Sequence, residues 1–413
     1  MDQTPTSHRP MLVKAINSLG RIAKNMGITL VSLNEQKLIK KACKKTGLSD
    51  FGDEEFRVGM RRLLRSMEEE AELNTMGRLM VESDTVKYLS NRLEFEDYAR
   101  LHPDVRIQEV SRPIFIVGLP RTGTTILFNL LALDPATRAP LSWEMQNPFP
   151  PPREETYRSD TRIADCAEDF VILNKVEPKL LSIHEFDAQR PQECVLMYRH
   201  EFLCIEYSFS YKVPGYYEWL KSQDIIPALS FHKQFLQHLQ YHYKKERWIL
   251  KSPAHLPYIE NIFEIYPDAC IIHTHRDPLE VAASATSLAY TLQCVGSDKV
   301  DAHETGEQQM NLWEYSLNKA MEARKKLCHK NDQIIDIYYE DIVNEPFVTI
   351  QKIYDKFGIE FSNEAERLMR EFLANNPQNK HGKHHHSLEM FGLDKAKCRE
   401  RFSAYCDMFN IES

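Results

Sequence analysis

Residues 113–125 read Pro-Ile-Phe-Ile-Val-Gly-Leu-Pro-Arg-Thr-Gly-Thr-Thr, and this stretch decides the fold. The apolar run Ile114–Val117 is typical of a strand that is buried on both faces of a parallel sheet. It leads into a loop in which Gly118 and Gly123 have the G-x-x-x-x-G spacing that lets backbone N–H groups surround an anion. The apolar residues of segment 124–133 then predict a buried helix, whose amino end would face the bound anion.

The loop lacks the lysine with which nucleoside triphosphatases hold the β- and γ-phosphates. Thr124 and Thr125 follow the second glycine instead, and Arg121 is the fixed positive charge of the loop. A sulfuryl group carries less charge than a terminal phosphate, so one guanidinium and two hydroxyl groups suffice for it. The loop therefore favours sulfuryl transfer, although a strand–turn–helix corner with incidental glycines has the same outline.

A second anion-binding pattern lies further along the chain. Segment 271–278 is predicted to run from a strand into a helix, and Ser284 follows Arg276 by eight residues. An arginine at the end of a strand offers a bidentate fork to a phosphate, and a serine about two helical turns later adds a hydroxyl group. Taken alone, Arg276 has the simpler interpretation of a surface ion pair with Asp277.

Together these patterns resemble those of the sulfotransferases that use 3′-phosphoadenosine-5′-phosphosulfate. Segment 120–125 is similar to their 5′-phosphosulfate loop, in the branch that reads P-R-[ST]-G-T-T, and the Arg276–Ser284 spacing is similar to their 3′-phosphate clip. The resemblance covers the chain from about residue 45 to the end. Further landmarks of the same branch are Gly47–Asp53, Ser142–Glu144, Tyr339–Asp341 and Phe391–Leu393.

The resemblance implies that this nucleotide is the co-substrate and that no metal ion takes part. Segment 248–257 is similar to the Lys-Thr-His-Leu-Pro run of cytosolic sulfotransferases, although Lys251 and His255 stand two residues further apart here. We expect Lys251 and Ser252 to bind the phosphosulfate and His255 to act as the base, since an unperturbed imidazole has a pKa of about 6.5. A helix-capping histidine is the simpler alternative. The implied nucleotide contacts are Arg121, Thr122, Gly123, Thr124, Thr125, Ser252, Arg276, Ser284, Lys383 and His384.

Three other side chains compete for the role of base. Glu144 follows Trp143, Glu193 lies in the run Arg-Pro-Gln-Glu-Cys, and His184 precedes that run. More distant sulfotransferases use a glutamate base, so Glu144 or Glu193 either replaces or assists His255. Each of the three is equally well explained as a solvated or ion-paired residue. The expected catalytic set is His255, Lys251, Arg121, Glu144 and Glu193.

The run Lys-His-Gly-Lys-His-His-His at 380–386 invites a metal-binding interpretation. Adjacent histidines point in different directions, and no acidic or cysteine partner lies at ligand spacing. In the family this stretch resembles a lid that lays basic residues over the 3′-phosphate. We therefore expect Lys383 and His384 to contact the nucleotide, and we expect no metal site.

Composition limits the partners and the location. The chain has 413 residues, 42% hydrophobic and 27% charged, with a net charge of −8, and no basic run is long enough to indicate nucleic-acid binding. The nine cysteines are scattered, without C-x-x-C, which is typical of reduced thiols in a cytoplasmic protein. Segment 11–33 carries Lys14, Arg21 and Lys24, so we expect no transmembrane segment there.

The predicted fold class is α/β, a P-loop-type parallel sheet flanked by helices, with a helical N-terminal extension and a helical acceptor-side insert. The expected boundaries are 1–110 for the N-terminal region, 111–413 for the α/β domain and 143–245 for the insert. Further strands are predicted at 247–251, 269–274 and 333–338, and a helix from Pro346 to a stop at Gly358.

The acceptor is expected to be a small molecule or a lipid that carries a hydroxyl group or, as a second choice, an amine. Aromatic residues are abundant between 143 and 220, which suits an apolar cavity or, equally, a packed helical subdomain. The net acidity argues against a highly sulfated glycan as the acceptor.

Two other classes of function are considered. A P-loop kinase or other nucleotide-binding protein is disfavoured by the lysine that is missing from the loop. An inactive relative is disfavoured by the intact Arg121, Lys251, Arg276 and Ser284.

Overall fold

A five-stranded parallel sheet lies at the centre of the protein, whose computed structural model describes residues 10–176, 187–376 and 387–411. The strands lie in the order β2-β3-β1-β4-β5, and every neighbouring pair is parallel. Because all strands run the same way, their carboxyl ends meet at one edge of the sheet. The strands are β1 (Ile114–Val117), β2 (Thr137–Arg138), β3 (Arg247–Lys251), β4 (Cys270–His275) and β5 (Ile334–Tyr338).

Successive residues of β1 face two different hydrophobic layers, as the two-residue period of a strand requires. Ile114 and Ile116 pack in one buried cluster, and Phe115 and Val117 pack in the other. All four side chains are at most 1% exposed, which is expected for a central strand that helices cover on both faces. The predicted α/β fold class is therefore confirmed.

Helices make up much of the remaining described chain. They are α1 (Met11–Asn25), α2 (Glu35–Thr46), α3 (Phe56–Glu69), α4 (Thr75–Leu101), α5 (Thr124–Leu131), α6 (Ser142–Gln146), α7 (Arg162–Val176), α8 (Val195–Tyr198), α9 (Tyr207–Ser210), α10 (Pro214–Leu220), α11 (Ile226–Leu239), α12 (Ile259–Ile265), α13 (Pro278–Gly296), α14 (Ala302–Lys326), α15 (Tyr339–Asn344), α16 (Pro346–Phe357), α17 (Asn363–Asn375) and α18 (Lys395–Met408). None of the helices in the described ranges combines the length and the apolar composition that a membrane crossing requires.

The predicted elements occur with small shifts at their ends. Helix α5 ends two residues earlier than expected, and β4 and β5 each begin one residue later. Helix α16 ends at Gly358 as predicted, since a φ of 60° suits glycine. The sequence does not predict β2, because a strand of two residues leaves no periodic pattern.

The N-terminal helices share a core with the rest of the protein. Leu38, Leu63 and Leu89 belong to the same buried cluster as Phe235 and Leu317. The described part of the predicted insert is mostly helical and contains α6 to α11. Most of these helices and α2 to α4 therefore stabilise the face of the sheet to which Phe115 and Val117 contribute.

Candidate active site

The predicted anion-binding residues meet at the carboxyl edge of the sheet. The loop 118–125 follows β1, Lys251 ends β3 and Arg276 follows β4. Lys251 contacts the loop through Thr125, and Arg276 contacts it through the carbonyl oxygen of Arg121. Three neighbouring parallel strands therefore bring together groups that lie far apart in the sequence.

The loop owes its curled shape to three residues with positive φ. Gly118, Arg121 and Gly123 have φ values of 154°, 69° and 84°, in a region that glycine tolerates best. A Cβ atom at Gly118 would lie 2.2 Å from Thr274 Oγ1, so the close approach to β4 requires glycine. Gly123 directly precedes α5, whose first N–H groups have no partner within the helix. The curled loop is consistent with the anion-binding cradle that the spacing predicts, and anion binding itself stays a prediction.

The three loop threonines differ in what they offer to a ligand. Thr122 is fully buried, and its Oγ1 lies 2.7 Å from both Leu119 O and Thr274 Oγ1, so this hydroxyl holds the loop against β4. Thr124 is also buried, whereas Thr125 is exposed. Thr125 is therefore the loop threonine whose hydroxyl group is accessible, and the ligand contacts expected of all three threonines stay predictions.

Lys251 connects the loop to a carboxylate. Its ammonium group lies 3.2 Å from Thr125 Oγ1 and forms an ion pair with Glu193. The backbone holds this arrangement, because Cys194 N–H donates a hydrogen bond of 3.0 Å to Lys251 O. Lys251 is 3% exposed, whereas the Glu193 side chain is 25% exposed. A buried cation therefore fixes a partly accessible carboxylate beside the loop.

Arg276 does not form the surface ion pair with Asp277 that the sequence offers as its simpler interpretation. Arg399 binds both oxygens of Asp277 instead, at 3.0 and 2.9 Å. The Arg276 guanidinium donates to Arg121 O at 3.1 Å, pairs with Glu280 at 2.9 Å and lies 3.9 Å from the centre of the Tyr339 ring. Its orientation toward the loop is therefore set by three separate contacts.

The nucleotide contacts expected of Ser284 and Ser252 stay predictions, like those of the loop and of Arg276. Ser284 is half-buried on α13, the helix that Asp277 caps by accepting a hydrogen bond from Leu279 N–H at 2.9 Å. Ser252 is buried at the end of β3, where its Oγ accepts a hydrogen bond from Ala254 N–H at 3.1 Å. Lys383, His384 and His184 lie outside the described residues.

His255 is buried beneath the site. Its side chain is 0% exposed, and its Nδ1 lies 2.7 Å from the hydroxyl group of Tyr198. The rings of Phe115 and His232 pack around it. Burial lowers the pKa of His255 well below its ordinary value, so the expectation of an unperturbed imidazole is wrong. The role of base that the sequence gives to His255 stays a prediction, and the buried position of the side chain argues against it.

Glu144 is also withdrawn from the site. It is 0% exposed, and its carboxylate forms an ion pair with Arg138. The same carboxylate accepts hydrogen bonds from Leu141 N–H at 2.9 Å and from the Tyr157 hydroxyl group at 3.1 Å. These contacts start helix α6 and neutralise Arg138, which leaves no oxygen facing a ligand.

A cavity of about 280 Å³ opens beside the loop. One end is bordered by Pro120, Glu193 and Ser252, which connects it to the Lys251 contact described above. Its apolar walls come mainly from two long helices, α13 and α14, and from the α8–α9 segment. The apolar wall residues are Val195, Leu196, Ile205, Phe209, Leu288, Leu292, Leu312 and Trp313.

The aromatic residues between 143 and 220 mostly form core. Trp143, Tyr198 and Tyr216 are at most 1% exposed, whereas Phe209 lines the cavity. Composition does not separate these two uses of an aromatic side chain. The sequence also gives no sign of the leucines on α13 and α14, because their spacing is that of any buried helix.

Two groups of mostly buried side chains in the described part of the chain have metal-ligand donors close together. They are Cys194, His232 and His255, and His273, His275 and Asp336. In the second group Arg324 binds both oxygens of Asp336, at 2.5 and 2.9 Å, so the charge of this carboxylate is already balanced. Neither group includes a residue of the loop, and the metal-free reaction stays a prediction.

Comparison with known proteins gives one family. Residues 113–363 match the profile described as the sulfotransferase family. Over 269 residues the chain is 26% identical to omega-hydroxy-beta-dihydromenaquinone-9 sulfotransferase Stf3 of Mycobacterium bovis and of Mycobacterium tuberculosis. The match covers 63% of this chain and 66% of those relatives, just under two thirds of their length.

Two crystal structures are similar over nearly the whole chain. Sulfotransferase STF1 from Mycobacterium tuberculosis is 30% identical, with a TM-score of 0.81 over 90% of this chain and 98% of its own. Sulfotransferase STF9 from Mycobacterium avium is 29% identical, with a TM-score of 0.85 over 92% of this chain and 98% of its own. The similarity therefore extends beyond the sheet to most of the chain.

Proposed function

The chain belongs to the sulfotransferase family, and on that premise we propose that it transfers the sulfuryl group of 3′-phosphoadenosine-5′-phosphosulfate to a small-molecule or lipid acceptor. The acceptor group is a hydroxyl or, as a second choice, an amine. The observation that carries the proposal is the junction at Glu193 and Lys251. There a loop that suits the donor adjoins an apolar cavity that suits the acceptor.

The residues around the loop fit the donor nucleotide. The curled backbone and the first N–H groups of α5 suit the 5′-phosphosulfate, with Arg121 and Thr125 as side-chain contacts. Lys251 adds positive charge near Thr125, and Ser252 lies at the end of the same strand. In this proposal the 3′-phosphate binds to Arg276 and Ser284, and to Lys383 and His384 beyond the described residues.

Glu193 is the proposed base. Its carboxylate is partly exposed and borders the cavity, whereas Glu144 and His255 are fully buried. Glu193 takes the proton of the acceptor hydroxyl while the hydroxyl oxygen bonds to sulfur. The bond between sulfur and the bridging phosphate oxygen breaks, and Lys251 stabilises the negative charge that this oxygen gains. The products are the sulfated acceptor and adenosine 3′,5′-bisphosphate.

The acceptor is proposed to have an apolar body. Apolar side chains form most of the cavity wall, and the ion pair between Arg199 and Glu206 supplies much of its polar part. The volume of about 280 Å³ is at the lower end of small-molecule sites. A longer acceptor would therefore keep part of its chain outside. The relative named for an omega-hydroxylated menaquinone supports a lipid alcohol as the acceptor class.

Transfer of radiolabelled sulfuryl groups to a panel of primary alcohols tests the proposal. The panel varies the apolar chain length and includes a sugar as a polar control. We expect sulfated alcohols, with kcat/KM rising with chain length, and no loss of activity in EDTA. Phosphorylation of an alcohol by ATP and Mg²⁺, without any sulfated product, would contradict the proposal. The cytoplasmic location inferred from the cysteines stays a prediction.

A further inference from the structure

The described chain concentrates its exposed apolar side chains near its N-terminal end. Fourteen large apolar residues are exposed, and seven of them lie within 11–30. This segment comprises α1 and the turn that follows it. We call its exposed apolar side the α1 face. The seven residues are Met11, Leu12, Leu19, Ile22, Met26, Ile28 and Leu30.

Exposed apolar residues of α1 form a continuous stripe that ends at Met26, the residue that caps the helix. Leu12, Ala15, Leu19, Ile22 and Met26 are exposed and follow one another at intervals of three or four residues. At this spacing side chains lie on one side of a helix. The apolar stripe therefore extends along the whole length of α1 and continues into the turn after it.

The opposite side of α1 is firmly attached to the protein. Asn17 Oδ1 accepts a hydrogen bond of 2.9 Å from Met76 N–H, and a Cβ atom at Gly20 would lie 1.6 Å from Thr75 Oγ1. Both partners belong to the first turn of α4. Arg21 pairs with Asp298 at 3.2 Å. The α1 face is thus presented to solvent by a docked helix.

The charge of the segment indicates what covers the α1 face. Lys14, Arg21 and Lys24 are its charged residues, and no acidic residue occurs between 11 and 34 in a chain with a net charge of −8. An amphipathic helix with cations and no anions is suited to the surface of a membrane with acidic headgroups. We propose that the α1 face docks on an anionic lipid bilayer.

The docking face is connected to the acceptor cavity. Helix α13 lines the cavity through Leu288 and Leu292, and Asp298, two residues beyond its end, pairs with Arg21 of α1. Gly296 O at the end of α13 also accepts a hydrogen bond of 2.9 Å from Asn74 N–H, next to α4. The docked protein would therefore hold the cavity near the lipid surface. This last step rests on the proposed function, whereas the docking itself does not.

Co-sedimentation of the full chain with vesicles tests the docking. The vesicles contain equal parts of phosphatidylcholine and phosphatidylglycerol. We expect binding, and we expect the double variant Leu19→Gln with Ile22→Gln to bind at least about tenfold more weakly. The matched control is Val171→Gln with Ile172→Gln, which removes two equally exposed apolar side chains from α7. This control should bind like the unaltered protein.

Charge and assembly give two further readouts. Lys14→Gln with Lys24→Gln should weaken binding to these vesicles about tenfold and leave Arg21 and its ion pair intact. Absence of vesicle binding, or equal losses in the α7 control, would overturn the proposal. So would a dimer that the α1 variant converts to a monomer in light scattering without a change in vesicle binding. These outcomes are independent of sulfuryl transfer, and an unchanged circular-dichroism spectrum and denaturant midpoint would show that each variant is folded.

Discussion

The proposed donor side and the proposed acceptor side of the site are assembled in different ways. On the donor side, the loop 118–125 stands directly after β1 and Arg276 directly after β4, and Ser284 follows Arg276 by only eight residues. On the acceptor side, the cavity wall combines Glu193 with residues of α13 and α14, about a hundred positions later in the sequence. A local motif therefore describes the donor side, whereas the acceptor side exists only after the helices have packed.

The sharpest test of this difference between the two sides is a substitution of Glu193, the residue at which they meet. We expect Glu193→Gln to slow turnover by about 10²- to 10⁴-fold, since the amide cannot accept the hydroxyl proton. The affinity for adenosine 3′,5′-bisphosphate should change little. Steady-state kinetics and calorimetry measure the two effects.

Glu280→Gln is the matched control for this variant, because it removes another glutamate that is paired with a cation but lies on the donor side. Its turnover should stay close to that of the unaltered enzyme. If the control slowed turnover as strongly as Glu193→Gln, the loss would reflect a disturbed ion pair and the assignment of the base would fail.

The donor side alone should respond to Arg276→Ala. We expect the dissociation constant of adenosine 3′,5′-bisphosphate to rise about 10- to 100-fold, because charged hydrogen bonds to the phosphate are lost. Turnover at saturating donor should stay close to that of the unaltered enzyme. Arg276→Lys keeps the positive charge but lacks the planar guanidinium that lies beside the Tyr339 ring. The affinity of this variant for the bisphosphate should lie between those of the unaltered enzyme and Arg276→Ala. If calorimetry found the same affinity for the bisphosphate in the unaltered enzyme and in both variants, Arg276 would not bind the donor.

The acceptor side alone should respond to Leu292→Asn. A polar group in the cavity wall weakens the binding of an apolar chain, so KM for a long-chain alcohol should rise about tenfold. KM for the donor should not change. Leu101→Asn, at an exposed leucine of α4, is the control. An equal rise of KM for short and long alcohols would show that the chain does not occupy this cavity.

A smaller effect on the reaction is expected for His255→Ala. The change leaves the Tyr198 hydroxyl group without its partner and opens a cavity, so the free energy of unfolding should fall by about 2 to 4 kcal/mol. Turnover by the folded protein should slow less than about tenfold. Denaturant unfolding and kinetics at low temperature separate the two quantities. If His255→Ala kept normal stability but slowed turnover by about a hundredfold or more, His255 and not Glu193 would be the base.

The contrast between local motifs and contacts that form only by packing also explains which parts of the molecule could be predicted from the sequence. Strand ends and the glycine spacing are local, so the loop, Lys251 and Arg276 are found from the sequence, and their convergence follows from a parallel sheet. The spacing of His255 from Lys251 is also local, but its meaning depends on tertiary packing. The 3₁₀ segment Pro253–Tyr258 places His255 in the core.

Two further positions show the limit of sequence patterns. Glu144 looks like an acceptor-side carboxylate until Arg138, six residues earlier, is seen to bind it. Tyr339 belongs to a predicted landmark without a role, and only the folded chain places its ring beside the Arg276 guanidinium. In both cases the missing information is the partner, which packing supplies.

The most direct measurement is a structure with adenosine 3′,5′-bisphosphate and a long-chain primary alcohol bound together. We expect the 5′-phosphate in the loop, within hydrogen-bond distance of Thr125 Oγ1, and the alcohol oxygen within hydrogen-bond distance of the Glu193 carboxylate. The alcohol chain should lie between Leu292 and Trp313. An alcohol oxygen beside His255 and away from Glu193, or a nucleotide bound away from the loop, would contradict the proposed meeting of donor and acceptor.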